Sequence, residues 1–360
     1  MGQKTRQRLK PFRINSVNLH KMDFRFCKRL VLLRKIYLAK LILIQSRGMK
    51  RNWLGGRAVV TLAIIVSCMI AAMAKEPIVI PLWPDGAPNS NGFSISDEHQ
   101  EGVMEVNIAK AELYVYCADK PNGTGLISCP GGGYYGVAMW HEGHQLAQWL
   151  NVRGITYAVL RYRMPNQGHY DVPLYDAEQA MRIMRAHAAE WGLNPDKIGI
   201  MGFSAGGHLA STLATHYSSP ETRPAYQVLL YPVISMIPGV THDGSRLGLL
   251  GKDPGAELTR KFSNELQVTK DTPKAFIAVS ADDDLVPVAN SLRYFEALTK
   301  AGVMSTLHVY PRGSHAWSFN DSFTYKPEWS AELDKWLREE VFPETTTPER
   351  GRSLTKYKCL

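Results

Sequence analysis

The feature that most constrains this chain is a regular alternation of short apolar runs with helical patterns, beginning near residue 105. Strands are predicted at Glu112–Cys117, Leu126–Cys129, Thr156–Tyr162, Lys197–Phe203, Tyr226–Tyr231, Ala275–Ser280 and Thr306–Tyr310. Most are rich in Val, Ile, Leu and Tyr and end at Gly, Pro or Asp, as buried strands do. Between them the spacing predicts helices at His144–Arg153, Leu174–Trp191, Ala205–Tyr217, Val288–Ala301 and Pro327–Glu340. Gly154, Gly192 and Gly302 stand just past three of these helices, where a residue free to adopt positive φ stops a helix. Such alternation specifies an α/β fold: one domain with a mostly parallel sheet and helices on both faces. Residues 235–270 interrupt it with five glycines, and predict a loop or partial lid beside the carboxyl edge of the sheet, or a plain surface insertion.

Charge divides the chain before that domain begins. The whole sequence carries 42 Lys+Arg against 33 Asp+Glu, a formal +9. Residues 1–74 hold sixteen of the basic residues and a single acid, Asp23, so the rest is mildly acidic. No basic stripe remains to follow a phosphate backbone, and nucleic acid is not an expected partner. The basic stretch from Met49 to Arg57, the uncharged run Ala58–Ala74 and the small-x-small site Ala72-Met73-Ala74 follow the order of a secretory signal peptide. Residues 49–74 are therefore expected to be a signal peptide, and residues 1–48 an extension ahead of the real start at Met49. The domain is expected over 75–343, with a polar tail at 344–360. Cleavage implies a secreted or periplasmic protein without stable membrane association. An uncleaved run of seventeen residues would instead anchor it. Of the five cysteines, Cys117, Cys129 and Cys359 follow the cleavage site, and sequence leaves the pairing of the first two open.

Chemistry concentrates where strands end. Gly202-Phe203-Ser204-Ala205-Gly206 lies between a predicted strand and a predicted helix, the setting of a nucleophile elbow. The turn is tight, so only small residues fit beside the serine. Pro130-Gly131-Gly132-Gly133-Tyr134 follows an earlier strand. In such a template its Gly132 and Gly133 amides form an oxyanion hole with the amide of Ala205. An acid and a base should follow the serine. Asp282-Asp283-Asp284 closes a predicted strand and offers three adjacent candidates, with Asp283 favoured by its place four residues before Pro287. His315, in Gly313-Ser314-His315-Ala316-Trp317, is the expected base, because the other downstream histidine, His308, lies inside a strand. His141-Glu142-Gly143-His144 lacks the spacing of a helical zinc motif, and no metal or cofactor is expected. Its place after the glycine loop makes Trp140 and Glu142 candidates for substrate contact, along with Tyr134 and Trp317; a helix start with an N-terminal acid explains Glu142 equally well.

Taken together, these strings resemble secreted α/β-hydrolases of the carbohydrate-esterase kind, acetylxylan esterases and the wider hormone-sensitive-lipase-like esterases. Pro130–Tyr134 with His141-Glu142-Gly143, Val159–Arg163, Ile198–Leu209, Leu230–Ile234, Ser263-Asn264-Glu265 and Asp283–Pro287 with Asn290-Ser291-Leu292 carry the resemblance over about residues 78–342. Pro130 stands where many lipase-like relatives have a histidine, which bears on subgroup rather than activity. The resemblance implies an α/β-hydrolase fold and a serine esterase acting on acylated carbohydrate through an acyl-enzyme. A peptidase of the same fold and a general short-chain carboxylesterase are the alternatives. Some relatives carry a xylanase label, but no motif here supports glycoside hydrolysis, which needs two facing carboxylates.

Overall fold

A computed structural model describes residues 76–342. The expected extension, the signal peptide and the polar tail lie outside the described residues, as do positions 75 and 343 at the expected ends of the domain. Among the described residues no helix is long and apolar enough to cross a membrane.

Eight strands form the main sheet: β1 (Ile78–Pro81), β4 (Glu112–Tyr116), β5 (Gly123–Cys129), β7 (Thr156–Arg161), β8 (Leu193–Phe203), β9 (Tyr226–Leu230), β10 (Lys274–Ser280) and β11 (Ser305–Tyr310), in the order β1-β4-β7-β5-β8-β9-β10-β11. β1 and β4 are antiparallel additions at one edge; the six strands from β7 to β11 run parallel. Every residue of β7 and β9 is buried, so both faces of the sheet are covered. That explains why these strands read as continuous apolar runs rather than as alternations. The helices are α1 (Ala147–Asn151), α2 (Val172–Ala186), α3 (Ser204–His216), α4 (Asp243–Leu250), α5 (Gly255–Lys261), α6 (Ala289–Lys300) and α7 (Lys326–Trp336). Their buried faces, with Met181 and Met184 of α2, Leu209 and Leu213 of α3, Tyr294 and Leu298 of α6, and Trp329 and Leu333 of α7, join the strands in one apolar core.

Strand order creates the crevice that the chemistry needs. From β5 the chain moves to β7 on one side, then crosses back to β8 on the other. β5 and β8 are thus neighbours whose following segments diverge, a switch point where open α/β sheets bind ligands. Cys129 is in register with Gly202. The glycine loop after β5 and the serine turn after β8 therefore leave the sheet side by side.

Several details depart from the sequence expectations. A small sheet of β2 (His99–Glu101), β3 (Met104–Val106) and β6 (Gly136–Val137) was not legible; its strands are two or three residues long. The helix expected at His144–Arg153 is a 3-10 turn, His144–Leu146, leading into the short α1. Residues 235–270 hold α4 and α5 rather than only loop. The N-terminal segment is tied down by charge. The Arg161 guanidinium bonds to Glu98 at 2.8 Å and Glu105 at 2.6 Å, and Arg163 bonds to the fully buried Asp176 at 2.7 Å and to Asn89. Removing one member of such a buried pair strands the other charge, at about 3–5 kcal/mol.

Candidate active site

Ser204 opens α3 directly after β8, with φ +51°. A non-glycine residue in this region carries of order 1–3 kcal/mol of strain, and the surrounding turn must hold it there. It does so by close approach of backbone. A Cβ on Gly202 would overlap the Gly206 carbonyl, and one on Gly206 would overlap the Cys129 carbonyl. A Cβ on Gly131 would come within 2.8 Å of the Ser204 Cβ. The glycines around the serine are thus required by packing, and the amide of Ala205 in the first turn of α3 is left without a helical acceptor.

His315 sits in a wound loop in which Ser314, Ala316 and Ser318 all have positive φ. Its Nδ1–H donates to Asp283 Oδ2 at 2.7 Å, and its Nε2 lies 2.8 Å from Ser204 Oγ. The carboxylate can only accept, so it fixes the ring tautomer and leaves Nε2 to take the serine proton. Asp283 is itself anchored: its Oδ1 accepts the amides of Leu285 at 3.0 Å and Val286 at 2.8 Å. The adjacent acids do something different. Asp282 accepts the Ser314 amide at 2.9 Å and Asp284 accepts the Ser314 hydroxyl at 3.1 Å, so both exposed neighbours clamp the loop that carries the imidazole.

The glycine loop lies opposite. Gly132 and Gly133 have φ of +143° and +64°, and among the described residues neither amide has an acceptor. Tyr134, expected to touch substrate, turns inward: it is buried, and its hydroxyl lies 2.8 Å from His208 Nδ1. His208 Nε2–H in turn donates to the Phe262 carbonyl at 2.8 Å. Burial holds the His208 ring neutral, with its pKa lowered to about 4. The loop is thus fastened through Tyr134 to α3 and to the segment after α5.

Glu142 also corrects its expectation of substrate contact. Only 3% exposed, it accepts the Gly131 amide on Oε2 at 2.7 Å and the Tyr231 hydroxyl on Oε1 at 2.8 Å. Burial pushes its carboxyl above the usual range; those two hydrogen bonds and the charges of His141 and His315 oppose the rise. Tyr231 packs edge-on against the His315 ring, centroids 4.9 Å apart, and its oxygen also accepts the Ser318 amide at 3.1 Å. One carboxylate therefore braces both the glycine loop and the histidine loop. His141 adds a strap between the same two segments: its Nε2–H donates to the Ala316 carbonyl at 2.6 Å, and its carbonyl accepts from Ser318 Oγ at 2.7 Å. Trp317 is buried, stacked on Phe323 at 4.4 Å, and supports the loop rather than lining an open surface. Trp140 is the exception, 66% exposed beside these loops. His141, Glu142 and His144 point to three different partners, Ala316, Gly131 with Tyr231, and Tyr116, so they share no ligand point.

Tyr231 and His141 act in this architecture without having been assigned roles from sequence. Tyr231 lies in the Leu230–Ile234 string and has φ +38° at a strand end, a strain that only coordinates reveal. His208, beside the serine turn, reads from sequence as a packed helix residue, and it lies in the fully buried stretch Ser204–Ala214 of α3.

A serine in a strained strand-to-helix turn, an imidazole on its hydroxyl and a carboxylate behind that imidazole, all at strand carboxyl ends, define a class of proteins. Residues 130–319 match the family described as the alpha/beta hydrolase fold, and the chain belongs to it. It is 40% identical over 233 residues to the acetylxylan esterase of Xylanibacter ruminicola, a match covering 64% of this chain and 48% of that protein. It is 35% identical over 212 residues to endo-1,4-beta-xylanase B of Butyrivibrio fibrisolvens, covering 55% of this chain and 33% of that one. The chain thus spans half or less of the length of these curated relatives. Among solved structures it resembles the acetyl ester-xyloside bifunctional hydrolase of Caldicellulosiruptor lactoaceticus, with a TM-score of 0.65 and 34% identity over 74% of this chain and 98% of that one.

Proposed function

We propose that this protein is a serine esterase that removes acetyl groups from carbohydrate through an acyl-enzyme. The observation that carries this reading is the unbroken chain Asp283–His315–Ser204, at 2.7 and 2.8 Å, beside a glycine loop whose Gly132 and Gly133 amides have no acceptor among the described residues. His315 takes the proton as Ser204 Oγ attacks the ester carbonyl. Asp283 keeps the ring in its tautomer and stabilises the imidazolium. The carbonyl oxygen becomes an oxyanion held by the amides of Ala205 and of Gly132 or Gly133, donors already fixed in place and worth about 2.7–4 kcal/mol each in transition-state stabilisation. The alkoxide leaves with the proton from His315. Water, activated by the same ring, then releases acetate from the acyl-serine.

Support for an acetylated sugar comes from the relatives named acetylxylan esterase and acetyl ester-xyloside hydrolase, and from the exposed Trp140 beside the site, whose ring offers a stacking face to a pyranose. The buried carboxylates Asp283 and Glu142 are engaged by His315, Tyr231 and backbone amides, an arrangement suited to bracing a triad rather than to flanking a glycosidic bond. The signal-peptide grammar of residues 49–74 favours an exported enzyme meeting an extracellular or periplasmic polymer. Acetate release from acetylated xylan and xylo-oligosaccharides, measured beside p-nitrophenyl esters of rising chain length and peptide anilides, tests this reading. Turnover of simple esters alone identifies a general carboxylesterase, and cleavage of anilides a peptidase. Silence on every ester refutes it.

A further inference from the structure

His242 lies in the glycine-rich stretch that sequence left without a role, immediately before α4. That helix abuts the glycine loop: a Cβ on Gly248 would sit 2.6 Å from the Gly133 carbonyl oxygen and 3.1 Å from the Tyr134 Cβ. The imidazole of His242 is half-buried on the same side, its Cε1 3.8 Å from where a Cβ on Gly133 would stand. Its Nδ1 accepts the Ser245 amide at 3.2 Å, and the Ser245 hydroxyl lies 2.8 Å away. An amide can only donate, so Nδ1 carries the lone pair, and a neutral ring must bear its proton on Nε2. Burial, reinforced by the positive form of His315, lowers the His242 pKa and keeps the ring neutral. Among the described residues that Nε2–H has no acceptor. The molecule thus holds an oriented donor, without a partner of its own, at the wall of the site.

The geometry points to His242 as a substrate-binding residue that donates its Nε2–H to a hydroxyl or ring oxygen of the sugar on the alcohol side of the ester. The choice follows from what an acetyl ester presents. Its methyl accepts no hydrogen bond, and its carbonyl oxygen already faces the amides of Ala205, Gly132 and Gly133. The alcohol moiety is the part of the substrate with further acceptors to offer. This inference rests on the proposed deacetylation of carbohydrate and adds a specificity contact to it.

His242→Asn is the informative variant. Asn is as good a helix N-cap as any residue, so α4 keeps its start while the long reach of Nε2–H is lost. One neutral hydrogen bond contributes about 0.5–1.5 kcal/mol, or roughly two- to twelvefold in kcat/KM. The loss of kcat/KM on acetylated xylo-oligosaccharide should exceed the loss on p-nitrophenyl acetate by about two- to twelvefold. His242→Phe, which keeps the ring without the donor, should show the same disparity. Equal losses on the two substrates would overturn the assignment by placing the donor on the oxyanion, and so would undiminished turnover of the sugar ester. A wild-type enzyme that releases no acetate from any acetylated saccharide would overturn the proposed function and this contact with it. Sugar turnover indifferent to both variants overturns the contact alone.

Discussion

Glu142 is the residue whose removal most sharply tests how the site is held. In Glu142→Ala the Gly131 amide and the Tyr231 hydroxyl both lose their acceptor inside the protein. A buried polar group left unsatisfied costs about 1–3 kcal/mol. Tyr231 retains its bond from the Ser318 amide, so its share falls at the low end, and the sum is roughly 2–4 kcal/mol before any cavity cost. In a domain of this size that lowers the thermal midpoint by about 4–16 °C. The catalytic effect is separate. Gly131 leads directly into the Gly132 and Gly133 amides, and Tyr231 packs on His315, so both sides of the reacting ester lose their brace. If the loop relaxes enough to misplace one oxyanion donor, kcat falls by about 10²–10³-fold. Glu142→Gln separates the two roles. Its oxygen can accept the Gly131 amide and its NH2 can donate to the Tyr231 oxygen, so most activity returns. It also removes a buried ionisable group whose pKa is raised by burial. A raised carboxyl favours folding while protonated, and that contribution fades as pH climbs from the ordinary glutamate range through the folded-state value. The stability of Glu142→Gln relative to wild type should therefore improve as pH rises. Steady-state kinetics on p-nitrophenyl acetate and unfolding monitored from pH 5 to 8 read both effects. Wild-type kcat in Glu142→Ala with an unchanged midpoint would refute the bracing role, and a Glu142→Gln stability that falls relative to wild type as pH rises would refute the linkage.

Other outcomes follow from the same geometry. Ser204→Ala should abolish turnover, with a loss of order 10⁶ in kcat as for serine hydrolases whose nucleophile is removed, while circular dichroism stays native. Asp283→Asn should cost about 10⁴ in kcat by presenting the wrong ring tautomer. Asp282→Asn and Asp284→Asn, whose carboxylates hydrogen-bond Ser314, should each cost tenfold or less. An equal collapse at all three positions would contradict the division of labour read from the contacts. His208 is held neutral to about pH 4, so the unfolded chain takes up a proton there before the folded one. Stability should fall as pH drops below the ordinary histidine range and level off near pH 4. A His208 ring proton resonance that titrates above pH 6 would contradict it. Gly206→Ala forces a methyl onto the Cys129 carbonyl and should yield little folded protein, judged by soluble expression and near-ultraviolet circular dichroism.

What was readable in the sequence was local. The serine turn announces itself because a strand, a tight turn of small residues and a helix must be contiguous for the geometry to exist, and all three lie within Lys197–Tyr217. The buried strands announce themselves because both faces of the sheet are covered, so apolar residues dominate both sides of β7 and β9, with Thr156, Arg161 and Gln227 as buried polar exceptions. β1, β2, β3 and β6 escaped because strands of two to four residues carry too few side chains to set a period. The base could be assigned from chain order, since His315 is the sole candidate outside a strand after the acids. The acid could be favoured but not singled out, because three identical carboxylates in a row differ only in where the backbone points them. Folding buries Asp283 beneath the imidazole and turns Asp282 and Asp284 outward to Ser314. Glu142, Tyr134 and Trp317 look, in one dimension, like residues lining a substrate cleft because they adjoin catalytic loops. Their inward orientation depends on Gly131, Tyr231, His208 and Phe323, partners 6 to 89 positions away. The sequence by itself determined the fold class and pointed to the proposed nucleophile and base, since each rests on contiguous residues. Only the tertiary structure decided which acid meets the imidazole and which neighbours brace the site, because a hydrogen bond or a buried charge is satisfied by proximity in space, to which the order of residues along the chain is blind.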